Sequence, residues 1–402
     1  MIQKWFKDLY ADRLENARVL KKASMSGVKD AVSDKYSDPA HFVYELLQNA
    51  DDVGATRAEF ELLEDRLIFV HNGKRHFSIS NPETEKADKL AGKLGDINAI
   101  TSIGNSSKSI SPATIGKFGV GFKAVFQYTE TPEIWDKDFS FRIENFIVPV
   151  PLTGDEYYKD SDETLFVFPF NRAEMPKTQA FKEINKKLKN LSYPLLFLSN
   201  LRELTFQIGE FQGFYKKNII ATNQYEDITE EQIQLSENRD GTAYWLNFIL
   251  FSRPHPKGSY SVCYSIRAGK LIPIEKPAFC FFQTKEYTGL RFLIHAPFLL
   301  TDSREGVFQG KEHNINLINN LAELAADSLT FLRDRNLIDD NILDIIPITE
   351  SNNDLFKIFY KTIQFEMKTR ALIPALDSAT GNYNFVKSKN AYWAEVTNLT
   401  KI

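Results

Sequence analysis

Cysteine is nearly absent from this chain. Of 402 residues only Cys263 and Cys280 carry thiols. Two are too few for a disulfide framework and lack the spacing of a metal site, so a reducing cytoplasm is the expected compartment. Long apolar runs are missing too. No stretch reaches the roughly 18 apolar residues that a membrane-spanning helix needs. The opening 1-MIQKWFKDLY-10 has no long apolar core and no small-residue cleavage site, so it does not read as a signal peptide. Neither sign of charge dominates: 49 basic against 53 acidic residues leave −4, and the pI is near 6.0. That balance argues against a general nucleic-acid binder. Repeats and low-complexity segments are absent.

Aromatics are plentiful, with 32 Phe, 16 Tyr and 4 Trp, and the length allows two or three domains with sizeable cores. Residues 1–34 read as helical, with 13-RLENARVLKKA-23 apolar at helical spacing. Asp38 before Pro39 opens a second helix running to Asp52. Strand patterns follow at 57-RAEFELLE-64 and 66-RLIFVH-71, closed by the turn 72-NG-73. Residues 81–115 are polar, either a functional loop or a disordered one, with a helix expected over 85–100. Strands return up to 163-ETLFVFPF-170. A Lys-rich stretch at 172–190 suggests a boundary, with a second unit beginning at 194-PLLFLSNLRELTFQI-208. That unit continues through strands in 245–251, 261–269 and 290–300 and an amphipathic helix over 314–335. The end, 340–402, mixes short helices and stops without a finishing element, as in part of a longer protein.

Three polar residues stand out in 41-HFVYELLQNADDVGATRAEFEL-62. Glu45, Asn49 and Asp52 fall at i, i+4 and i+7, one face of a helix whose other positions are apolar. A carboxylate at a dry wall can act as a general base, and an amide oxygen can ligate a hard cation. Alone, the triplet reads better as a solvated stripe on a surface helix. The run 116-GKFGVGF-122 brings Gly116, Gly119 and Gly121 just before a helix expected from Phe122. Such a loop lets backbone N–H groups approach a phosphate. It is neither a Walker loop, since Phe follows Lys117, nor the dinucleotide fingerprint, whose glycine spacing is the reverse.

The order of these pieces (helix with E-x-x-x-N-x-x-D, strand and N-G turn, polar lid, G-x-x-G-x-G-F, then T-L-F-V-F) resembles the GHKL ATPases. These include gyrase, the ninety-kilodalton heat-shock chaperone, histidine kinases and MutL. Within them, 45-ELLQNADD-52 and 115-IGKFGVGFKAVFQYT-129 are most similar to sacsin-type ATP-binding domains. The resemblance implies ATP and Mg²⁺ as ligands. It makes Glu45 the general base, Asn49 the Mg²⁺ ligand and Asp52 a polar residue on the adenine side. Gly116, Gly119 and Gly121, with the amides of Lys117, Phe118 and Val120, match the phosphate loop that ends at Phe122. Thr164 matches the strand threonine that helps hold the base. The family's D-x-G is replaced here by His71, Asn72 and Gly73, which leaves base specificity open; the same residues also suit a plain strand end and turn. Lys108 in the lid can meet the γ-phosphate or remain a solvated loop lysine.

The resemblance extends to 289-GLRFLIHAPFLLTDSREGV-307, similar to the chaperone's middle domain, where Arg304 matches an arginine reaching the γ-phosphate. It can equally pair with Asp302 or Glu305 to fix its turn. The segment 279-FCFFQT-284 reads as a core strand and both cysteines as packing residues. The expected fold is therefore α+β. A Bergerat-type two-layer sandwich occupies 1–175, a second α/β domain 176–337 and a partial helical region 338–402. The expected activity is slow ATP hydrolysis driving lid and domain closure, in a chaperone-like or defence-effector protein. The alternatives are a non-hydrolysing, nucleotide-gated interaction module and a nucleic-acid-processing clamp. Partners implied are ATP and ADP, a protein client or effector domains in a longer chain, and a nucleotide-dependent homodimer. Neither a membrane nor nucleic acid is expected.

Overall fold

The computed structural model describes residues 2–22, 40–102, 120–154, 157, 162–301, 306–376 and 381–391. The chain packs as two compact units, Met1–Lys217 with Ser236–Tyr244, and Asn218–Leu235 with Trp245–Ile402. Each is a mixture of helices and sheet.

In the first unit, helix α1 (Ile2–Leu20) buries Leu9, Arg13, Ala17 and Leu20. Spacings of four, four and three keep those positions on one stripe. Arg13 reaches Glu85 with two short N–H···O bonds of 2.6 and 2.7 Å, a bidentate pair that ties α1 to the polar segment. Helix α2 (Phe42–Asp52) is apolar on most of its surface, with Phe42, Val43, Leu46, Leu47 and Ala50 buried. Strands β1 (Arg57–Leu62) and β2 (Arg66–His71) form an antiparallel pair. The helix expected over 85–100 is two short ones, α3 (Glu85–Leu90) and α4 (Asp96–Ile100). The break falls where Gly92 takes φ +69, a left-handed conformation that stops a helix.

Beyond a 3-10 helix at Val120–Gln127 come β3 (Glu133–Trp135), β4 (Ser140–Glu144), β5 (Val148–Pro151) and β6 (Thr164–Pro169). Helix α5 (Lys177–Lys189) and strand β7 (Glu203–Ile208) follow. The strand order is β7-β1-β2-β6-β3-β4-β5. Only the β1–β7 pair in this series is parallel, so the sheet is mixed. One face carries Phe60, Phe69, Phe166 and Phe168, whose rings interlock with Phe42 of α2 and with Phe122. The opposite face buries a smaller cluster of Trp135, Leu165 and Val167. Alternation along β2 and β6 generates both faces.

The carboxylate of Asp51, at the end of α2, accepts the backbone N–H groups of Ser199, Asn200 and Leu201 at 3.0, 2.7 and 2.7 Å. Its own carbonyl accepts the Asn200 amide. The next residue, Arg202, donates its N–H to Thr56, so the chain enters β7 already beside β1.

Strands β8 (Phe211–Tyr225) and β9 (Ile228–Asn238) follow β7, and from Trp245 on the second unit is built on β10 (Ala243–His255) and β11 (Gly258–Arg267), an antiparallel hairpin. β11 also pairs with β12 (Lys270–Ile272) and β15 (Leu293–His295). β15 is parallel to β13 (Phe279–Cys280), which pairs with β14 (Phe282–Gln283). These last strands place Phe279 and Phe282 in the core, as expected for 279–284. Helix α6 (Glu312–Asp334) lays Leu317, Leu321, Leu324 and Leu329 into that core. Ser328 meets the Tyr264 hydroxyl at 2.8 Å. Both cysteines are free thiols. Among the described residues no helix is long and apolar enough to cross a membrane.

Replacing Asp51 with Ala leaves three N–H groups in the 199–201 segment without an acceptor. The expected loss is at least about 3 kcal/mol of unfolding free energy, read from urea denaturation at neutral pH. Asp51→Asn should recover part of it, because the amide oxygen can accept one of the three.

Candidate functional site

Helix α2 carries Glu45 in its first turn and Asn49 and Asp52 after it. Glu45 is 7% exposed, whereas Asn49 is half-buried and Asp52 exposed. The buried carboxylate lies directly on the backbone of Gly121. A Cβ at that glycine would sit 1.9 Å from Glu45 Oε2, a separation no side chain tolerates. Only glycine permits this approach. His41, one turn before Glu45, holds its Nε2 3.8 Å from the other carboxylate oxygen.

Asp52 is open to water yet walled by protein and by like charge. Desolvation first, then the neighbouring Asp51 and Glu45 carboxylates, push its carboxyl up to about 7, against the pull of Arg75.

Across from α2, the 71–73 turn closes β2. His71 is 3% exposed and is the Cα partner of Thr164 in the β2–β6 ladder. Its Nδ1 accepts the Gly73 N–H at 3.1 Å. Gly73 itself cannot bear a side chain, since a Cβ there would lie 2.4 Å from Val53 Cγ2. Burial pulls the His71 pKa down to about 4, so the ring is neutral at physiological pH. With Nδ1 an acceptor, the proton is on Nε2, and that buried atom has no partner among the described residues.

Beside it lies a carboxylate that the sequence does not advertise. Asp136, fully buried, accepts the Thr164 hydroxyl at 2.6 Å and the Phe77 N–H at 2.8 Å, and faces His76 Nδ1 at 2.9 Å. The Thr164 proton is therefore already committed. Asn72 is committed too: its Oδ1 accepts the Thr56 and Arg57 N–H groups, and its Nδ2 donates to Thr56 Oγ1. Phe122 is fully buried, its ring 6.2 Å from both Phe166 and Phe168. Lys123, also unflagged by the sequence, turns inward. Its ammonium donates to the Phe146 carbonyl at 2.6 Å and lies over the Phe126 and Phe146 rings. Burial pulls its pKa down to about 7.

The structure thus brings Glu45 against Gly121, and His71 beside Thr164 and Gly73. Val120 begins the 3-10 helix. Lys108, Gly116, Lys117, Phe118, Gly119 and Arg304 lie outside the described residues. Asp51 and Asp136 escape sequence reading because their partners are distant backbone groups and side chains. For Asp51 one signal exists: it sits roughly 120° or more around the helix from Glu45, off the polar face. Glu45 and Asn49 offer oxygen donors of the type a hard divalent cation takes.

Residues 25–143 match the family model of the Sacsin domain. The chain is homologous to Protein NO VEIN of Arabidopsis thaliana, 27% identical over 335 residues, covering 73% of this chain. It is also homologous to human Sacsin, 29% identical over 120 residues, covering 27% of this chain. It spans 11% of the length of NO VEIN and 2% of Sacsin. Among solved structures, the ATP-binding domain of topoisomerase IV from Francisella tularensis, in complex with a small-molecule inhibitor, aligns at 14% identity. That alignment has a TM-score of 0.30 and covers 48% of this chain and 58% of that one.

Two outcomes test this geometry. Gly121→Ala should destabilise the protein by about 1–3 kcal/mol through overpacking. In a Glu45→Ala background most of that cost should vanish, a coupling of at least about 1 kcal/mol in a double-mutant cycle; additive effects would mean the contact is absent. The second concerns pH. Between pH 6.5 and 4 the unfolded chain protonates His71 and the folded one does not, so stability falls as pH falls through that window. The wild type should lose about 3 kcal/mol more over that window than His71→Asn, which does not titrate there.

Proposed function

We propose that residues 1–175 bind a purine nucleoside triphosphate with Mg²⁺ and hydrolyse it slowly, ATP being the one implied by the resemblance to GHKL ATPases. The observation that carries this reading is the buried Glu45 carboxylate of α2 lying on the Gly121 backbone. The match of residues 25–143 to the Sacsin domain family supports it.

In this reading Glu45 removes the proton from the attacking water, and its shielded position keeps other water away. The Asn49 amide oxygen holds Mg²⁺. Bound Mg²⁺ offsets the negative charge on the phosphates. The amides of Gly116, Lys117, Phe118, Gly119, Val120 and Gly121 cradle those phosphates. Phe122 anchors the end of that loop in the core. Asp52, His71, Gly73 and Thr164 line the base end, and Asn72 supports it by holding the start of β1. Lys108 and Arg304 meet the γ-phosphate on closure. The division into 1–175, a relaying 176–337 and a partial 338–402 belongs to the same proposal. So do a chaperone-like or defence output in the cytoplasm, a protein client, and pairing of two chains on nucleotide binding.

One observation favours a second reading, a nucleotide-gated module without turnover. His71 stands where the family has a carboxylate, and the ring is neutral and buried. Phosphate release and calorimetry separate the two. Glu45→Ala should cut turnover about 100-fold or more while changing nucleotide affinity by less than about threefold. Undiminished turnover would remove Glu45 as the base; tight binding without turnover in the wild type would favour the module.

A further inference from the structure

The helix that presents Gly121 to Glu45 is a 3-10 helix of eight residues, Val120–Gln127. Runs of this kind beyond three or four residues are uncommon, because their hydrogen bonds are poorly aligned. Such a helix depends on its neighbours to hold it in place. On one side the Gly121 backbone lies against the Glu45 carboxylate. A 3-10 helix turns roughly 120° per residue, so Lys123, two residues on, points to another side. There its buried ammonium donates to the Phe146 carbonyl at 2.6 Å. The Phe126 ring of the same helix packs on the Phe146 ring, centroids 4.6 Å apart. Arg172 donates to the Phe126 carbonyl at 2.9 Å and steadies the far end.

Both ends of the Lys123 bond are costly. Among the described residues no carboxylate pairs with the ammonium, and the charged group acting on it is Arg13 of α1, a like charge. A buried cation without a counter-ion is a liability that an apolar side chain of similar size removes. Phe146 is strained as well. Asn145 and Phe146 take φ +50 and +76 in the turn between β4 and β5, closed by Ile147 N–H on the Glu144 carbonyl. A turn with two successive positive φ values favours glycine at the second. A phenylalanine persists there only where its surroundings over-determine it. Fold stability alone accounts for neither residue.

We infer that Lys123 is a positioning residue for Glu45. Its bond to the Phe146 carbonyl sets the 3-10 helix against α2, so that the Gly121 backbone stays on the Glu45 carboxylate and keeps it buried. The effect on turnover rests on the nucleotide reading above; the tether itself does not.

Lys123→Met separates positioning from stability. Met fills most of the space and removes both the charge and the donor. The melting temperature should hold or rise, because the carbonyl left unpaired is offset by the buried charge removed. A large fall would make Lys123 a structural residue only and overturn the inference. With the helix released, the fall in melting temperature caused by Gly121→Ala should shrink by half or more in the Lys123→Met background. An equal fall in both backgrounds would overturn the inference whatever the protein binds. Phosphate release from ATP with Mg²⁺ should drop about tenfold or more in folded Lys123→Met. Undiminished release would also overturn it. No release by the wild type would overturn the nucleotide reading, and the Gly121→Ala comparison would still decide whether Lys123 sets the helix.

Discussion

The Asp51 carboxylate holds the first unit in register. Three N–H groups of a turn about 150 residues later converge on its oxygens, and that turn leads directly into the strand parallel to β1. A parallel partner cannot be supplied by a tight hairpin. Some long-range tether must bring it in, and a buried anion with three donors is a strong one. The same bond fixes the rotation of α2 about its axis. With Asp51 turned toward 199–201, helical geometry carries Glu45, Asn49 and Asp52 to another side, where Glu45 meets Gly121. The angular setting of the candidate site thus follows from a contact on another side of α2.

The second organising feature is the polar end of an otherwise aromatic sheet face. Phe60, Phe69, Phe166 and Phe168 fill the middle. His71, Thr164, Asp136 and His76 gather at one end. Their hydrogen bonds are nearly closed on one another, as a low-dielectric interior demands. Among the described residues the exception is His71 Nε2. Lys123 follows the opposite logic, its ammonium satisfied by one carbonyl and two ring faces, so it contributes to packing although it follows the glycine loop by two residues.

Much of the element pattern was legible. The strands at 57–62, 66–71 and 164–169 and the helix at 312–334 match the alternation and helical spacing in the residues themselves. The helix expected over 85–100 was not, because helical spacing does not register a glycine that turns left-handed at 92. At the site, the polar face of α2 and the glycine of 121 could be named from spacing. That Asn72 and Thr164 have their polar groups engaged within the protein could not, since their partners, Thr56, Arg57 and Asp136, lie outside any local pattern.

The sequence by itself determined which residues are apolar on which face, and hence the order and type of most elements, because burial follows a local period of two or about 3.6. It also placed a carboxylate, an amide and a glycine run where a polar site could form. Only the tertiary structure decided which of those groups remain available. Hydrogen-bond partners are chosen by proximity after packing. Asp51 therefore became a tether, Asp136 a hidden acceptor, and His71 a buried donor with no partner among the described residues.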